Sequence, residues 1–320
     1  MRLGIDAMGG DYAPLECIRG AKLFCQENNS GKYELVLFGD VEKMRPMLEA
    51  EGEADSCISL VHTTEVIEMG ESPTRALVAK PNSSMAIGFQ YLKEGKIDAF
   101  ASAGNTGAML VGAMYSVKTI PGVLRPALST LVPHENGKTG LLLDVGANAD
   151  AKPEMLNQFA LMGALYLKHV YHVDNPRVAL MNIGEEEGKG NKLAQETYSV
   201  LKDNDKINFI GNVEGRDLLR DMADVMVTDG FTGNIILKLA ESFYDLIKSR
   251  KIHDPYFDSF NYENYGGTAI LGADAPVIVA HGISNAVAFK NMISLSREII
   301  SSNLVNIFKE AFINNQILQD

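Results

Sequence analysis

Glycine, asparagine, threonine and aspartate crowd into a series of short segments. They are Asp6-Ala7-Met8-Gly9-Gly10-Asp11, Ser102 to Gly107, Asp144-Val145-Gly146-Ala147-Asn148, Asn182 to Glu186, Gly211 to Arg216, and Thr228-Asp229-Gly230-Phe231-Thr232-Gly233-Asn234. Glycine in such a turn lets backbone N–H groups face a ligand, and a helix that follows adds the partial positive charge of its N-terminus. That chemistry suits phosphate. Gly104, Asn105, Thr106 and Gly107, and later Thr232, Gly233 and Asn234, supply amide and hydroxyl donors. Asp144 and Asp229 would repel an anion, so they are expected to orient donors or to turn the backbone instead. The chain carries a net charge of −12, so an anionic substrate needs local cations, and Lys189 and Arg216 stand beside two of these segments. Each can equally pair with neighbouring carboxylates.

Other chemistries lack their residues. Gly137-Lys138-Thr139 resembles the end of a P-loop, but the glycine needed five positions earlier is Val132, so it reads as a hairpin or loop. No Gly-x-Gly-x-x-Gly follows the first strand, and no Gly-x-Ser-x-Gly elbow occurs, which argues against a nicotinamide enzyme and against covalent catalysis. Cys17, Cys25 and Cys57 form no Cys-x-x-Cys pair and read as buried free thiols. Among the histidines, His169 and His172 fall near a predicted helix C-terminus, a structural position. Only His281, just after a strand and before Gly282, is placed for a site. No metal and no cofactor is called for. The acidic balance argues against nucleic acid as a partner. No apolar run reaches the roughly 18 to 20 residues of a membrane span, and Met1 to Gly10 has no signal-peptide layout, so the chain reads as cytoplasmic.

The elements that must position these residues alternate. Apolar runs of strand length are Arg2 to Asp6, Glu34 to Gly39, Ile58 to His62, Ile97 to Ser102, Leu128 to Val132, Gly140 to Val145, Arg177 to Ile183, Ile207 to Gly211, Val225 to Thr228 and Val277 to Ala280. Helical periodicity covers Leu15 to Glu27, Ser84 to Glu94, Thr106 to Val117, Pro153 to Tyr171, Lys192 to Lys202, Ile235 to Lys251 and Asn285 to Phe312. Such alternation predicts an α/β class chain, a largely parallel sheet with helices on both faces, read as one domain over 1–320. In sheets of that kind ligands bind outside the carboxyl ends of the strands, where the Gly- and Asn-rich segments fall.

In order and nearly end to end, these segments resemble the signature blocks of the bacterial phosphate acyltransferase (PlsX) family, together with Ser83-Ser84-Met85, Tyr265-Gly266-Gly267 and His281-Gly282. The resemblance implies a homodimeric three-layer α/β/α enzyme, similar in fold to phosphate acetyltransferase and to the isocitrate and isopropylmalate dehydrogenases. It also implies transfer of a fatty acyl group from acyl carrier protein to inorganic phosphate, the acyl phosphate then serving a membrane glycerol-3-phosphate acyltransferase in phospholipid synthesis. Phosphate is ionised near neutrality and needs no protein nucleophile. On this reading Asn105, Thr106, Thr232 and Asn234 hold phosphate with the adjacent glycine amides, aided by Lys189 or Arg216, and Asn148 or His281 serves the departing thiolate.

The chain departs from that family in two places. Only Arg75 and Lys80 precede the Ser-Ser-Met block, which argues against a carrier-protein docking site there. The excursion over residues 235–264 is shorter than the family's helical hairpin. Within it Ile235, Ile236, Leu239, Phe243, Leu246 and Ile247 form a stripe read as core or dimer interface. Lys248, Arg250 and Lys251 follow and could meet acidic carrier protein or anionic lipid at the inner face of the membrane. Rival readings are a phosphotransacetylase-like enzyme using short acyl-CoA, a non-catalytic phosphoryl-ligand sensor and, third, a dehydrogenase.

Overall fold

A computed structural model describes residues 1–28, 31–52 and 57–316. Its strands are β1 (Arg2–Asp6), β2 (Glu34–Gly39), β3 (Ile58–His62), β4 (Ala99–Ser102), β5 (Ala127–Pro133), β6 (Thr139–Leu143), β7 (Arg177–Asn182), β8 (Asn208–Glu214), β9 (Val225–Val227), β10 (Thr268–Leu271) and β11 (Val277–Val279). Its α-helices are α1 (Leu15–Glu27), α2 (Val41–Ala50), α3 (Pro73–Ala79), α4 (Ser84–Lys93), α5 (Thr106–Gly112), α6 (Pro153–Val170), α7 (Lys192–Lys202), α8 (Gly230–Ser249), α9 (Pro255–Asp258), α10 (Ala286–Ser301) and α11 (Leu304–Gln316). The α/β expectation holds. The chain divides into two compact units, unit 1 comprising Met1–Thr119 and Tyr262–Val305, and unit 2 comprising Ile120–Asn261 and Asn306–Asp320.

In unit 1 the strands run β3-β2-β1-β4-β11-β10, parallel except that β10 is antiparallel to β11. Leu3 to Asp6 of β1 and all of β4 are buried, the continuous apolar run of a strand covered on both faces. Because β2 and β3 lie to one side of β1 and β4 to the other, the strand order reverses between β1 and β4, the position at which sheets of this kind bind ligands at their carboxyl ends. Helix α1 packs closely on α10: a Cβ on Gly20 would lie 2.4 Å from the Cβ of Phe289. Phe89 of α4 packs edge to face on Phe100, which packs edge to face on Phe38.

In unit 2 the order is β5-β6-β9-β7-β8, with β5 antiparallel to β6 and the remaining pairs parallel. The Gly137-Lys138-Thr139 segment turns the β5–β6 hairpin, Gly137 taking φ +82°. Helix α6 ends at Val170, which leaves His169 in its last turn as expected.

Several expectations need correction. The helix expected from Thr106 to Val117 is α-helical only to Gly112 and continues as a π turn over Ala113–Val117. The single helix expected from Asn285 to Phe312 is broken into α10 and α11, with Asn303 in the left-handed region at φ +58°. Helix α8 starts at Gly230, not Ile235, so Thr232, Gly233 and Asn234 lie in its first turn. Strand β10 and helices α2, α3 and α9 went unread. Cys25 and Cys57 are joined as a disulfide between α1 and the start of β3, and only Cys17 is the buried free thiol expected of all three. No helix among the described residues is long and apolar enough to cross a membrane.

Candidate active site

In unit 1 the loops leaving β1, β4 and β11 meet around one buried carboxylate. Asp6 ends β1 and is 2% exposed. Its Oδ2 accepts the Ser102 hydroxyl at 2.7 Å and its Oδ1 accepts the Met8 N–H at 3.1 Å. Burial pushes the Asp6 carboxyl up from its ordinary range, against the opposing pull of donors from Ser84, Ser102, Met8 and Gly9. Gly9 runs so close that a Cβ there would lie 2.7 Å from Asp6 Oδ2, from Ser102 Oγ and from the Gly104 nitrogen. Beyond it, the Asp11 N–H donates to the Gly282 carbonyl at 2.7 Å, which brings the His281 loop against the first.

Asn105 follows as the N-cap of α5. Its Oδ1 accepts the Ala108 N–H at 2.9 Å, while its Nδ2 donates to the carbonyls of Glu68, Met69 and Glu71 at 3.0 to 3.1 Å. This side chain, 5% exposed, is therefore engaged at both ends. That corrects the expectation that its amide holds phosphate: Asn105 caps the helix and fastens the 68–71 loop. Helical geometry leaves the N–H groups of Thr106 and Gly107 to acceptors from outside the helix, and the Thr106 side chain is exposed. Gly107 is pressed on Pro73 of α3, 2.5 Å from where its Cβ would stand. His281 is exposed, with the Ile283 N–H 3.5 Å from its Nδ1.

Unit 2 repeats the motif of a buried aspartate ending a strand loop. Asp144, fully buried, accepts N–H groups from Leu128, Gly146, Ala147 and Asn148 at 2.7 to 3.3 Å, and the Asn148 Nδ2 at 2.8 Å. Burial again pushes its carboxyl up, opposed by these bonds. Asp144 thereby turns the backbone of its own loop, one of the two roles expected of it. Asn148 Nδ2 also donates to the Pro126 carbonyl at 2.8 Å, so both its amide protons are engaged within the protein, against the expectation that it serves a departing thiolate. Asp229 caps α8, taking the Thr232 N–H at 2.8 Å and the Thr232 hydroxyl at 2.9 Å. Gly230 and Gly233 let α8 approach Asp144 closely, a Cβ on Gly233 falling 1.9 Å from the Asp144 carbonyl oxygen. Asn234 is exposed on this first turn, 3.4 Å from where a Cβ on Gly146 would stand.

Lys189 and Arg216 sit on adjoining loops of unit 2, linked by the Asn182 amide, which donates to the Asn212 side chain at 3.1 Å and to the Lys189 carbonyl at 3.2 Å. Arg216 is paired with Glu214 at 3.0 Å and Glu185 at 3.6 Å. Lys189 is only loosely held, 3.9 Å from Glu186. The stripe on α8 is not core: Phe231, Ile235, Leu239, Phe243 and Leu246 are each more than half exposed. Lys248, Arg250 and Lys251 at its end are exposed as well. Sequence reasoning singled out Asn105 and the glycines but passed over Asp6, Ser84 and Ser102. The available signal was a carboxylate closing an otherwise apolar strand, directly before Gly9-Gly10.

Residues 1–307 match the model of a family described as "Fatty acid synthesis protein". The chain belongs to that family. It is 43% identical over 319 residues to the phosphate acyltransferase of Dictyoglomus turgidum, covering 94% of each protein, and 42% identical to that of a Geobacillus species, covering 98% of this chain and 99% of the relative. This member of the fatty acid synthesis protein family is thus an acyltransferase. In fold it is similar to a phosphotransacetylase from Streptococcus pyogenes, with a TM-score of 0.64, 17% identity and 94% of each chain covered. A second likeness is the EutD phosphotransacetylase from Staphylococcus aureus, at TM-score 0.62, 14% identity and 93% coverage of each.

Proposed function

We propose that this acyltransferase moves a fatty acyl group from acyl carrier protein to inorganic phosphate. A phosphate oxygen attacks the thioester carbonyl carbon, the C–S bond breaks, and acyl phosphate and the carrier thiol leave. The observation that carries the reading is a helix N-terminus, that of α5, aimed by a capping side chain that itself has no donor to spare. Such a device offers backbone N–H groups to an anion and needs no nucleophile from the protein. We assign the Thr106 and Gly107 N–H groups and the Thr106 hydroxyl to phosphate oxygens, with His281 as the candidate donor to the leaving thiolate. The Asp229-capped first turn of α8 in unit 2 has fewer donors to offer an anion, since its Gly230 N–H goes to the Asn148 carbonyl and its Thr232 N–H and hydroxyl go to Asp229. Lys189 is the cation there that we assign to substrate, since Arg216 is held by two carboxylates.

Phosphotransacetylases among the structural neighbours favour a second reading, in which the donor is a short acyl-CoA. One experiment separates the two. Purified protein is incubated with labelled phosphate and either palmitoyl acyl carrier protein or acetyl-CoA, and acyl phosphate and free thiol are measured together. Product from the carrier-bound donor supports the proposal, and product from acetyl-CoA alone replaces it. Phosphate retained without turnover from either donor would make the protein a sensor.

A further inference from the structure

Three large apolar side chains stand exposed around Gly282 at the carboxyl edge of unit 1. Tyr12 comes from the loop after β1, Met69 from the loop after β3 and Ile283 from the loop after β11, and they are 56%, 50% and 41% exposed. These loops are fastened to one another. The Asp11 N–H donates to the Gly282 carbonyl at 2.7 Å, and Met69 Cε lies 3.1 Å from where a Cβ on Gly282 would stand. The exposure of Met69 is not slack in its loop. Two residues earlier the same loop buries Ile67 to 5% exposure, and the Met69 carbonyl is held by Asn105 Nδ2 at 3.1 Å. Ile283 likewise stands out between two buried neighbours, Gly282 and Ser284. Apolar side chains gathered in the open on fixed loops mark a place that an apolar ligand covers.

The charge beside the strip narrows what that ligand can be. The two Asp11 carboxylate oxygens lie 3.5 and 3.8 Å from the same Cβ position on Gly282, and the exposed Glu68 directly precedes Met69. Carboxylates there disfavour a phosphate, a nucleotide or an acidic protein surface and leave an uncharged chain. The substrate of an acyltransferase in a fatty acid synthesis family carries such a chain. Methionine, unbranched and adaptable, suits a chain that bends. His281, assigned above to the leaving thiolate, has its Nδ1 3.5 Å from the Ile283 N–H, so a thioester beside it begins its chain at the strip. We infer that Tyr12, Met69 and Ile283 form the acyl-chain subsite of unit 1 and select donors by the length of their alkyl chain. The inference rests on the reading of the donor as a fatty acyl thioester.

The test measures binding of butyl, octyl and dodecyl phosphate to the full chain by titration calorimetry, below their micellar concentrations, with the KM for palmitoyl acyl carrier protein from turnover. Wild type is compared with Met69→Ser, Ile283→Ser and the double variant. All three side-chain changes are at exposed positions, so the melting temperature should hold. Each methylene taken fully out of water is worth up to about fourfold in affinity. Wild type should therefore bind octyl phosphate at least about tenfold more tightly than butyl phosphate, a strip covering the chain on one side only. The double variant should reduce that ratio to about twofold, leave butyl phosphate binding unchanged and raise the palmitoyl donor KM about tenfold. Binding in wild type that ignores chain length overturns the inference. So does a ratio that survives in the double variant, which places the chain elsewhere, or an equal loss for all three probes, which marks general damage. Should the palmitoyl donor give no product while the chain-length ratio and its loss in the variants persist, the fatty acyl donor reading fails and the strip stands as a subsite for an apolar chain.

Discussion

Asn105 does two jobs with one side chain, and they can be separated. Aspartate keeps an oxygen for the Ala108 N–H but loses the amide protons that reach the carbonyls of Glu68, Met69 and Glu71. Asn105→Asp should therefore retain the cap while turning a carboxylate toward three carbonyl oxygens, at a cost of about 1 to 3 kcal/mol in stability, with turnover falling at least tenfold as the 68–71 loop is released. Denaturation and steady-state kinetics on the same preparation check both halves; full activity would show that the loop needs no tether. A second buried side chain lies at the other ends of the strands. His134 is 1% exposed, and neither ring nitrogen has a hydrogen-bond partner among the described residues. Burial lowers its pKa, the nearby Asp221 and Asp224 oppose that, and Arg177 and Lys138 reinforce it. The unfolded chain then takes up the proton first as pH falls below about 6.5, so His134 makes stability decline with acidification until its lowered folded pKa is reached. His134→Phe should flatten that decline in urea titrations at pH 7.5 and 5.5; an unaltered pH dependence would show that the ring is not its source.

At the scale of elements, α8 is the outlier, since only Gly230 and Gly233 are buried along its whole length. An apolar stripe so exposed calls for a partner, and we propose that a second copy of the chain covers it, with the basic end beyond it left for acidic carrier protein. Leu239→Glu with Phe243→Glu should convert the dimer to monomer in sedimentation velocity, and a monomeric wild type would refute the assignment. The same helix shows where reading the sequence stopped short. Helical periodicity places its start at Ile235, whereas the helix already includes Gly230, which lies against the Asn148 carbonyl, and Gly233, which lies against the Asp144 carbonyl. The Asp229 cap, three residues before Thr232, was the legible sign. Strands β1, β2 and β3 and helices α1 and α7 could be bounded from the sequence because their ends are marked locally, as by Asn191, which caps α7. Strand β10, four residues behind Gly266-Gly267, has no such pattern, and α2 carries Pro46 and scattered charge. The site was legible as a set of glycine turns. The roles of Asn105 and Asn148 were not, because which donors remain available depends on carbonyls distant in sequence.

Over the whole molecule the chain leaves unit 1 after Thr119, returns at Tyr262 and leaves again after Val305. Unit 1 is closed by contacts between its two segments: Lys290 pairs with Glu27 at 3.1 Å, the Ala286 N–H donates to Glu16 at 2.7 Å, and α1 lies on α10 at Gly20. Opening unit 1 therefore frees the ends that bracket the long segment of unit 2, and we expect the chain to unfold as one cooperative domain. The Cys25–Cys57 disulfide provides the means of testing this, since it lies wholly within unit 1 and its partners are 32 residues apart. Closing a loop of that size stabilises the folded chain by about 3 to 4 kcal/mol on the chain-entropy account. Reduction should shift a single unfolding transition to lower denaturant, with the far-ultraviolet signal and the fluorescence of the tyrosines in unit 2 moving together. If reduction instead splits the transition and leaves the unit 2 tyrosines at their original midpoint, the two units are independent domains.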